Sequence, residues 1–194
     1  MNNTYIHRIL IFAFVFVLCA SNPPYGWVAS GSKVKSYDMS IAKGAGVNGG
    51  DCATIKSIEE KIVGFGTLRQ TISAAKYAGK KIKLTGQLKA ENITNKKWAG
   101  LYIAFKDKVL TGTFKDIQKS PETGKWNAGW QVCEIEVVIP ASAKHISYGA
   151  QLTGTGQLWF DEMKIEIISS VGVVENNKDT LRTNKKPVNL NFED

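Results

Sequence analysis

The chain has 194 residues, 43% hydrophobic, 10% aromatic and 22% charged, with 25 Lys and Arg against 17 Asp and Glu. That length suits one domain and excludes a large multidomain catalyst. The apolar content excludes an intrinsically disordered chain, and the net charge of +8 leaves a small, folded, basic protein.

In chain order, the first element is an uninterrupted apolar run over residues 9–20, ILIFAFVFVLCA, preceded by His7 and Arg8 and free of charge. A basic flank, about a dozen apolar residues and small residues afterwards are the pattern of a secretory signal, whereas a spanning helix needs roughly 20 apolar residues. Pro23 and Pro24 end any helix here, and Ala20, Ser21, Ala29 and Ser30 are the small residues near a cleavage point. We therefore expect a leader over residues 1–30, a mature start between Ser21 and Ser32, a secreted or periplasmic location and no transmembrane segment in the mature chain. A lipid anchor on Cys19 is disfavoured because Leu18, and not a small residue, precedes it.

Export changes how Cys52 and Cys133 are read, since an oxidising compartment permits a disulfide between them. Such a bridge would close about 80 residues and stabilise by roughly 4 kcal/mol in the chain-entropy model. Two separately buried thiols are the favoured reading, since nothing in the sequence brings the two Cα atoms within reach.

From Tyr37 onward the pattern is short polar–apolar alternation broken by Gly, Asn, Asp and Lys, without a sustained helical period. Strands are expected over 53–57, 67–73, 81–90, 100–105, 108–114, 131–139, 146–152 and 157–168, which implies an all-β sandwich of two antiparallel sheets over residues 31–168. Ile82, Leu84, Gly86 and Leu88 alternate with Lys81, Lys83, Thr85, Gln87 and Lys89, as where one face packs and the other meets water. Residues 169–194 lose the alternation, become rich in Asn and Lys, and are expected to form a flexible tail. The basic excess belongs to the domain: residues 33–168 carry 20 basic and 13 acidic residues. Only Lys80-Lys81, Lys96-Lys97 and Lys185-Lys186 are adjacent lysine pairs, so solvated strand faces account for the charge better than nucleic-acid binding.

Catalytic machinery is sparse. Gly44-Ala-Gly-Val-Asn-Gly49 matches G-x-G-x-x-G formally, yet neither a buried strand before it nor a helix within it is readable, so it reads as a glycine-rich loop. His145 is the one histidine beyond the leader, and there is no G-x-S-x-G and no H-E-x-x-H. Glu134 and Glu136 share a strand face about 7 Å apart, but a glycosidase pair normally spans a cleft between elements. No catalytic residue is assigned.

The aromatic residues are more suggestive. Trp98 and Tyr102 fall on the side of Gly100 and Ala104, away from the core row Leu101, Ile103 and Phe105, while Trp126, Trp130 and Trp159 sit at strand ends. An aromatic platform flanked by amides such as Gln70 and Gln151 suits the apolar faces and hydroxyl rims of sugar rings. Core or edge packing is the competing account of Trp126, Trp130 and Trp159.

Gly64-Phe-Gly-Thr-Leu-Arg-Gln70, Tyr77-Ala-Gly-Lys-Lys-Ile-Lys-Leu-Thr-Gly86, Trp98-Ala-Gly-Leu-Tyr-Ile103, the strand 132–138 after Trp130, and Gly154-Thr-Gly-Gln-Leu-Trp-Phe-Asp-Glu-Met163 carry a resemblance. The chain resembles the galactose-binding-like jelly rolls related to carbohydrate-binding modules, and an uncharacterised bacterial group of such domains, over residues 37 to about 168. The resemblance implies a two-sheet jelly roll and a non-catalytic module that binds polysaccharide, with an envelope protein partner or structural role as the alternative. It adds Asp116, in the loop Phe114-Lys-Asp-Ile117, to Trp98, Tyr102, Gln70, Gln151 and the strand-end Trp126 as candidate ligand contacts. Where a second large aromatic and a basic residue are usual, Tyr102 and Ala104 stand, so the face is trimmed at Ala104. The resemblance implies no cofactor beyond a structural calcium at Asp161, for which Asp38 is the other carboxylate considered; calcium needs six to eight oxygens.

Overall fold

A computed structural model describes residues 22–93, 98–106, 129–170 and 186–193. Its strands are β1 (Val28–Gly31), β2 (Tyr37–Ala42), β3 (Cys52–Ser57), β4 (Phe65–Ser73), β5 (Lys80–Glu91), β6 (Ala99–Lys106), β7 (Gln131–Val138), β8 (His145–Thr153) and β9 (Gln157–Ser170). They form a four-stranded sheet in the order β1-β4-β8-β6 and a five-stranded sheet in the order β2-β3-β9-β5-β7. Every pairing is antiparallel. From β3 to β9 the chain changes sheet at each step, the winding of a jelly roll. The all-β two-sheet expectation therefore holds, and the expected strand over 108–114 lies outside the described residues.

The core is where the inward rows of the two sheets meet. Leu68 and Ile72 of β4, Leu101 and Ile103 of β6, and Ile146, Tyr148, Ala150 and Leu152 of β8 face Ile55, Ile82, Leu84, Leu88, Ile135, Leu158 and Phe160 of the other sheet. Each fully buried aliphatic side chain contributes about 1.5–3 kcal/mol of transfer free energy. Gly86 interrupts the row for a steric reason: a Cβ there would lie 2.5 Å from Met163 Sδ. In β9 the inward set changes phase, from Leu158 and Phe160 to Met163, Ile165 and Ile167. The register slips between Thr85 and Gln87 of β5, and Glu162 takes φ 48°. This β-bulge lets both halves of a 14-residue strand present apolar side chains to one core.

Both chain ends differ from the expectation. β1 lies within the region read as leader, and Trp27 just before it is buried. At the other end, residues 186–193 pack onto the sandwich, whereas a flexible tail was expected from 169; β9 itself runs to Ser170. Phe192 is fully buried, 5.0 Å from Trp27 and 5.1 Å from Phe160 between ring centroids. Trp27 Nε1–H donates to Asn189 O at 3.0 Å, and the Met163 N–H donates to Leu190 O at 2.9 Å. Asn- and Lys-rich composition hid this because two apolar residues, Leu190 and Phe192, suffice to dock the segment on the aromatic cluster.

Of the two readings of the cysteines, the separate thiols hold: both are free. Cys52 is on β3 and Cys133 on β7, with β9 and β5 between them, so their Cα atoms are roughly 14 Å apart by strand spacing, beyond the 7 Å a bridge tolerates.

Candidate functional site

The outer faces of the two sheets differ chemically. On the five-stranded sheet, Lys81 pairs with Glu136 at 2.7 Å, Lys83 with Glu134 at 3.2 Å and Glu136 at 3.3 Å, Lys89 with Glu91 at 3.1 Å, and Lys164 with Glu166 at 2.8 Å. Lys89 also lies over Trp159, 4.9 Å from its ring centroid. This is a solvated charge ladder of small energetic weight. Glu134 and Glu136 share one face as the alternation predicts, and the hydrogen bonds from Lys81 and Lys83 hold the Glu136 carboxyl below its ordinary range. A glycosidase acid needs the opposite shift.

The outer face of the four-stranded sheet carries hydroxyls, amides, aromatics and one arginine. Strand register arranges it in rungs. In the first, Ser30, Thr67, Gln151 and Gly100 stand side by side; in the second, Val28, Arg69, Gly149 and Tyr102; in the third, Thr71, Ser147 and Ala104. The floor is low at Gly149, Gly100 and Ala104. Arg69 and Tyr102 stand on either side of Gly149, two strand spacings or roughly 9.5 Å apart between Cα atoms. A larger residue cannot replace Gly149, since a Cβ there would meet Leu68 O at 2.0 Å. Alternation carries Trp98, immediately before β6, to the same side as Tyr102, and both are half-buried.

Hydrogen bonds fix the polar half of this face. Arg69 Nε donates to Ser30 Oγ at 3.0 Å, and its Nη1 donates to Thr71 Oγ1 at 2.7 Å and Ser147 Oγ at 3.3 Å. The Thr71 and Ser147 hydroxyls are 2.8 Å apart. One rung further, Thr67 Oγ1 donates to Gln151 Oε1 at 3.3 Å, and Gln151 Nε2 donates to Thr153 Oγ1 at 3.3 Å. Side chains held this way lose little further entropy on meeting a ligand.

Of the residues singled out from sequence, the structure brings Trp98, Tyr102 and Gln151 to one side of the sheet, where Gln151 is buried at 6% exposure with both ends of its amide hydrogen-bonded. It does not bring Gln70 there. Gln70 occupies the inward phase of β4 with Leu68 and Ile72 and is 1% exposed. Its Oε1 accepts the Tyr148 hydroxyl at 2.9 Å and the Val188 N–H at 3.2 Å, and its Nε2 donates to Val188 O. Gln70 thus tethers the C-terminal segment through the core. Asp116 and Trp126 lie outside the described residues, while Trp130 precedes β7 on the other sheet. His145 opens β8 opposite Ser73 and Lys106.

Asp161 is buried at the β9 bulge, its Oδ2 accepting the Val47 N–H at 2.9 Å and its Oδ1 the Glu162 N–H at 2.7 Å. Burial raises its carboxyl above the ordinary range, with the two N–H groups opposing. A Cβ on Gly46 would sit 2.8 Å from Asp161 Oδ2, 2.8 Å from Gly50 O and 2.5 Å from Asp51 O, so the glycine string serves to bring this loop against the carboxylate. Among the described residues no group of three or more His, Cys, Asp and Glu side chains could hold a metal ion, and Asp38 lies on β2 opposite Lys56. Asp161 anchors the 44–51 loop through its hydrogen bond from Val47.

Arg69, Thr71, Ser147 and Gly149 were missed from sequence. Their signal was phase: in β4 the odd positions Thr67, Arg69, Thr71 and Ser73 are polar while Leu68 and Ile72 are not, and β8 repeats the pattern.

Comparison with solved structures settles the architecture. The xylan-binding family 22 carbohydrate-binding module from Paenibacillus barcinonensis superposes with a TM-score of 0.53 at 10% identity, covering 77% of this chain and 91% of that one. The C-terminal family 22 module of a Clostridium thermocellum protein gives 0.54 at 10% identity, covering 77% and 89%. The fold is a carbohydrate-binding-module jelly roll. A cyclase from Fischerella sp. TAU shares this jelly roll with a TM-score of 0.53, at 13% identity and covering 77% and 88%, so the fold alone does not fix function. No family model matches the chain. In sequence the chain is 30% identical over 173 residues to the uncharacterized HTH-type transcriptional regulator YbfP of Bacillus subtilis (strain 168), covering 87% of this chain and 57% of that protein. The chain thus spans little more than half the length of that relative.

Proposed function

We propose that this protein is an exported, non-catalytic carbohydrate-binding module whose saccharide lies across the outer face of the four-stranded sheet. The observation that carries the reading is the Arg69–Gly149–Tyr102 rung. A sugar ring has apolar C–H faces that pack on an aromatic and a rim of hydroxyls that need donors and acceptors. Tyr102 and Trp98 supply the first, and Arg69, Thr71, Ser147 and Gln151 the second, with a low floor between. The similarity of the fold to xylan-binding modules supports this assignment, as does the absence of any Asp or Glu from β1, β4, β6 and β8, which leaves their face without a strand carboxylate for glycoside hydrolysis. Export rests on the apolar run over 9–20.

Calorimetric titration with a panel of plant and bacterial-wall oligosaccharides tests the proposal. Binding is expected for at least one class, and Trp98→Ala or Tyr102→Ala should each weaken it about tenfold, the scale of losing one buried aromatic contact. Absence of saccharide binding, or binding indifferent to both substitutions, overturns it. Salt-sensitive capture of an envelope protein in place of any glycan response would select the protein-interaction alternative.

A further inference from the structure

Acidic residues are segregated between the two sheets. The strands of the five-stranded sheet contain Asp38, Glu91, Glu134, Glu136, Asp161, Glu162 and Glu166, whereas β1, β4, β6 and β8 contain no Asp or Glu and carry Arg69, Lys106 and His145. Among the described residues, every hydrogen-bond partner of the Arg69 side chain is a hydroxyl, Ser30, Thr71 or Ser147. Hydroxyls orient a guanidinium without neutralising it. The lysines of the opposite sheet face do find carboxylate partners, whereas among the described residues no carboxylate hydrogen-bonds or pairs with Arg69.

A half-buried, oriented guanidinium with no carboxylate partner among the described residues is a costly feature in a neutral site and a useful one for an anion. Its planar fork matches a carboxylate in geometry and charge, and charge-assisted bonds of this kind are about twice as strong as neutral ones. Nε and Nη1 are held by the strand hydroxyls, which leaves Nη2 without a partner among the described residues. Gly149 stands between this group and Tyr102 on the rung. An anion on a ring stacked against Tyr102 would therefore face Arg69.

Resting on the saccharide reading above, we infer that the ligand is an acidic glycan, a uronate whose carboxylate pairs with Arg69 while its ring packs on Tyr102. The net positive balance of residues 33–168 adds attraction at longer range.

The test is a calorimetric titration of the full chain with three probes: a short oligogalacturonate, its methyl ester, and the matching neutral oligogalactan. The uronate should bind about tenfold to a hundredfold tighter than its ester, the range for a hydrogen bond to a charged group, and should weaken as salt is raised. Arg69→Gln should abolish the difference between acid and ester, and Arg69→Lys should restore only part of it, because an ammonium keeps the charge without the fork. Should the Arg69 variants fail to fold, the acid-to-ester ratio of the unaltered protein decides alone. A ratio near one, with neutral glycan bound and Tyr102→Ala weakening it, overturns the acidic ligand and leaves the saccharide reading standing. Failure of all three probes and of the wider panel overturns both. A sulfated glycan bound in preference to the uronate would keep the anion pairing with Arg69 but overturn the carboxylate assignment.

Discussion

Gln70 and Gln151 are the same residue type on adjacent strands of one sheet, yet one ties the core together and the other faces outward. The difference is parity. On β4 the inward row is Leu68, Gln70 and Ile72, and on β8 it is Ile146, Tyr148, Ala150 and Leu152, so a one-residue step decides which chemistry an amide can serve. Replacing Gln70 by Ala would strand the Tyr148 hydroxyl and the Val188 backbone. We expect a loss of about 1–3 kcal/mol in urea unfolding with saccharide affinity unchanged; lost affinity in a fully folded variant would contradict this placement. Burial lifts the Cys52 thiol to about 12 and also raises Cys133, so neither should react with iodoacetamide near neutral pH until the protein unfolds. Asp161 gives a signed pH effect. Its carboxyl is raised above the ordinary 3.8 by burial, so the folded chain binds that proton more tightly than the unfolded chain. Its contribution to stability is present at acid pH and lost as pH rises through the folded value. Relative to Asp161→Asn, the unaltered protein should therefore gain stability as pH falls from about 6 to about 3 in urea titrations, and the reverse slope would refute the assignment.

At the scale of elements, the two short segments that composition placed outside the domain complete it. Trp27, ahead of β1, and Phe192, in the segment 186–193, fill one aromatic cluster with Tyr148 and Phe160. Phe192→Ala should cost about 3–5 kcal/mol, the usual range for emptying a buried phenyl site, and a chain ended before residue 186 should lose more, read by thermal unfolding. The same packing sharpens the export proposal. Cleavage after Ala29 or Ser30 would remove Trp27 and cut β1, so the mature N-terminus measured by mass spectrometry should precede Trp27, near Ala20 and Ser21. The long strands were readable because their apolar alternation is strict; β1 and β2 were not, because VASG and YDMSIA are too short or too mixed for periodicity to register.

At the scale of the whole molecule, the two outer faces differ: one carries a ladder of ion pairs, and the other, by our proposal, holds the saccharide. Without a bridge between Cys52 and Cys133, reductant should leave the thermal midpoint unchanged; a fall on reduction would show that the two strands approach in a way the sheet order forbids. The sequence by itself determined the fold class, the inward rows of most strands, and the shared side of Trp98 and Tyr102. These follow from period-two burial and from residue inventory, both local properties. The tertiary structure decided what depends on register and sheet order. It placed Arg69, Gly149 and Tyr102 on one rung, turned Gln70 inward, separated the cysteines and closed the core with the chain ends. Such pairings join residues tens to more than a hundred positions apart, and no local pattern encodes which strand lies beside which.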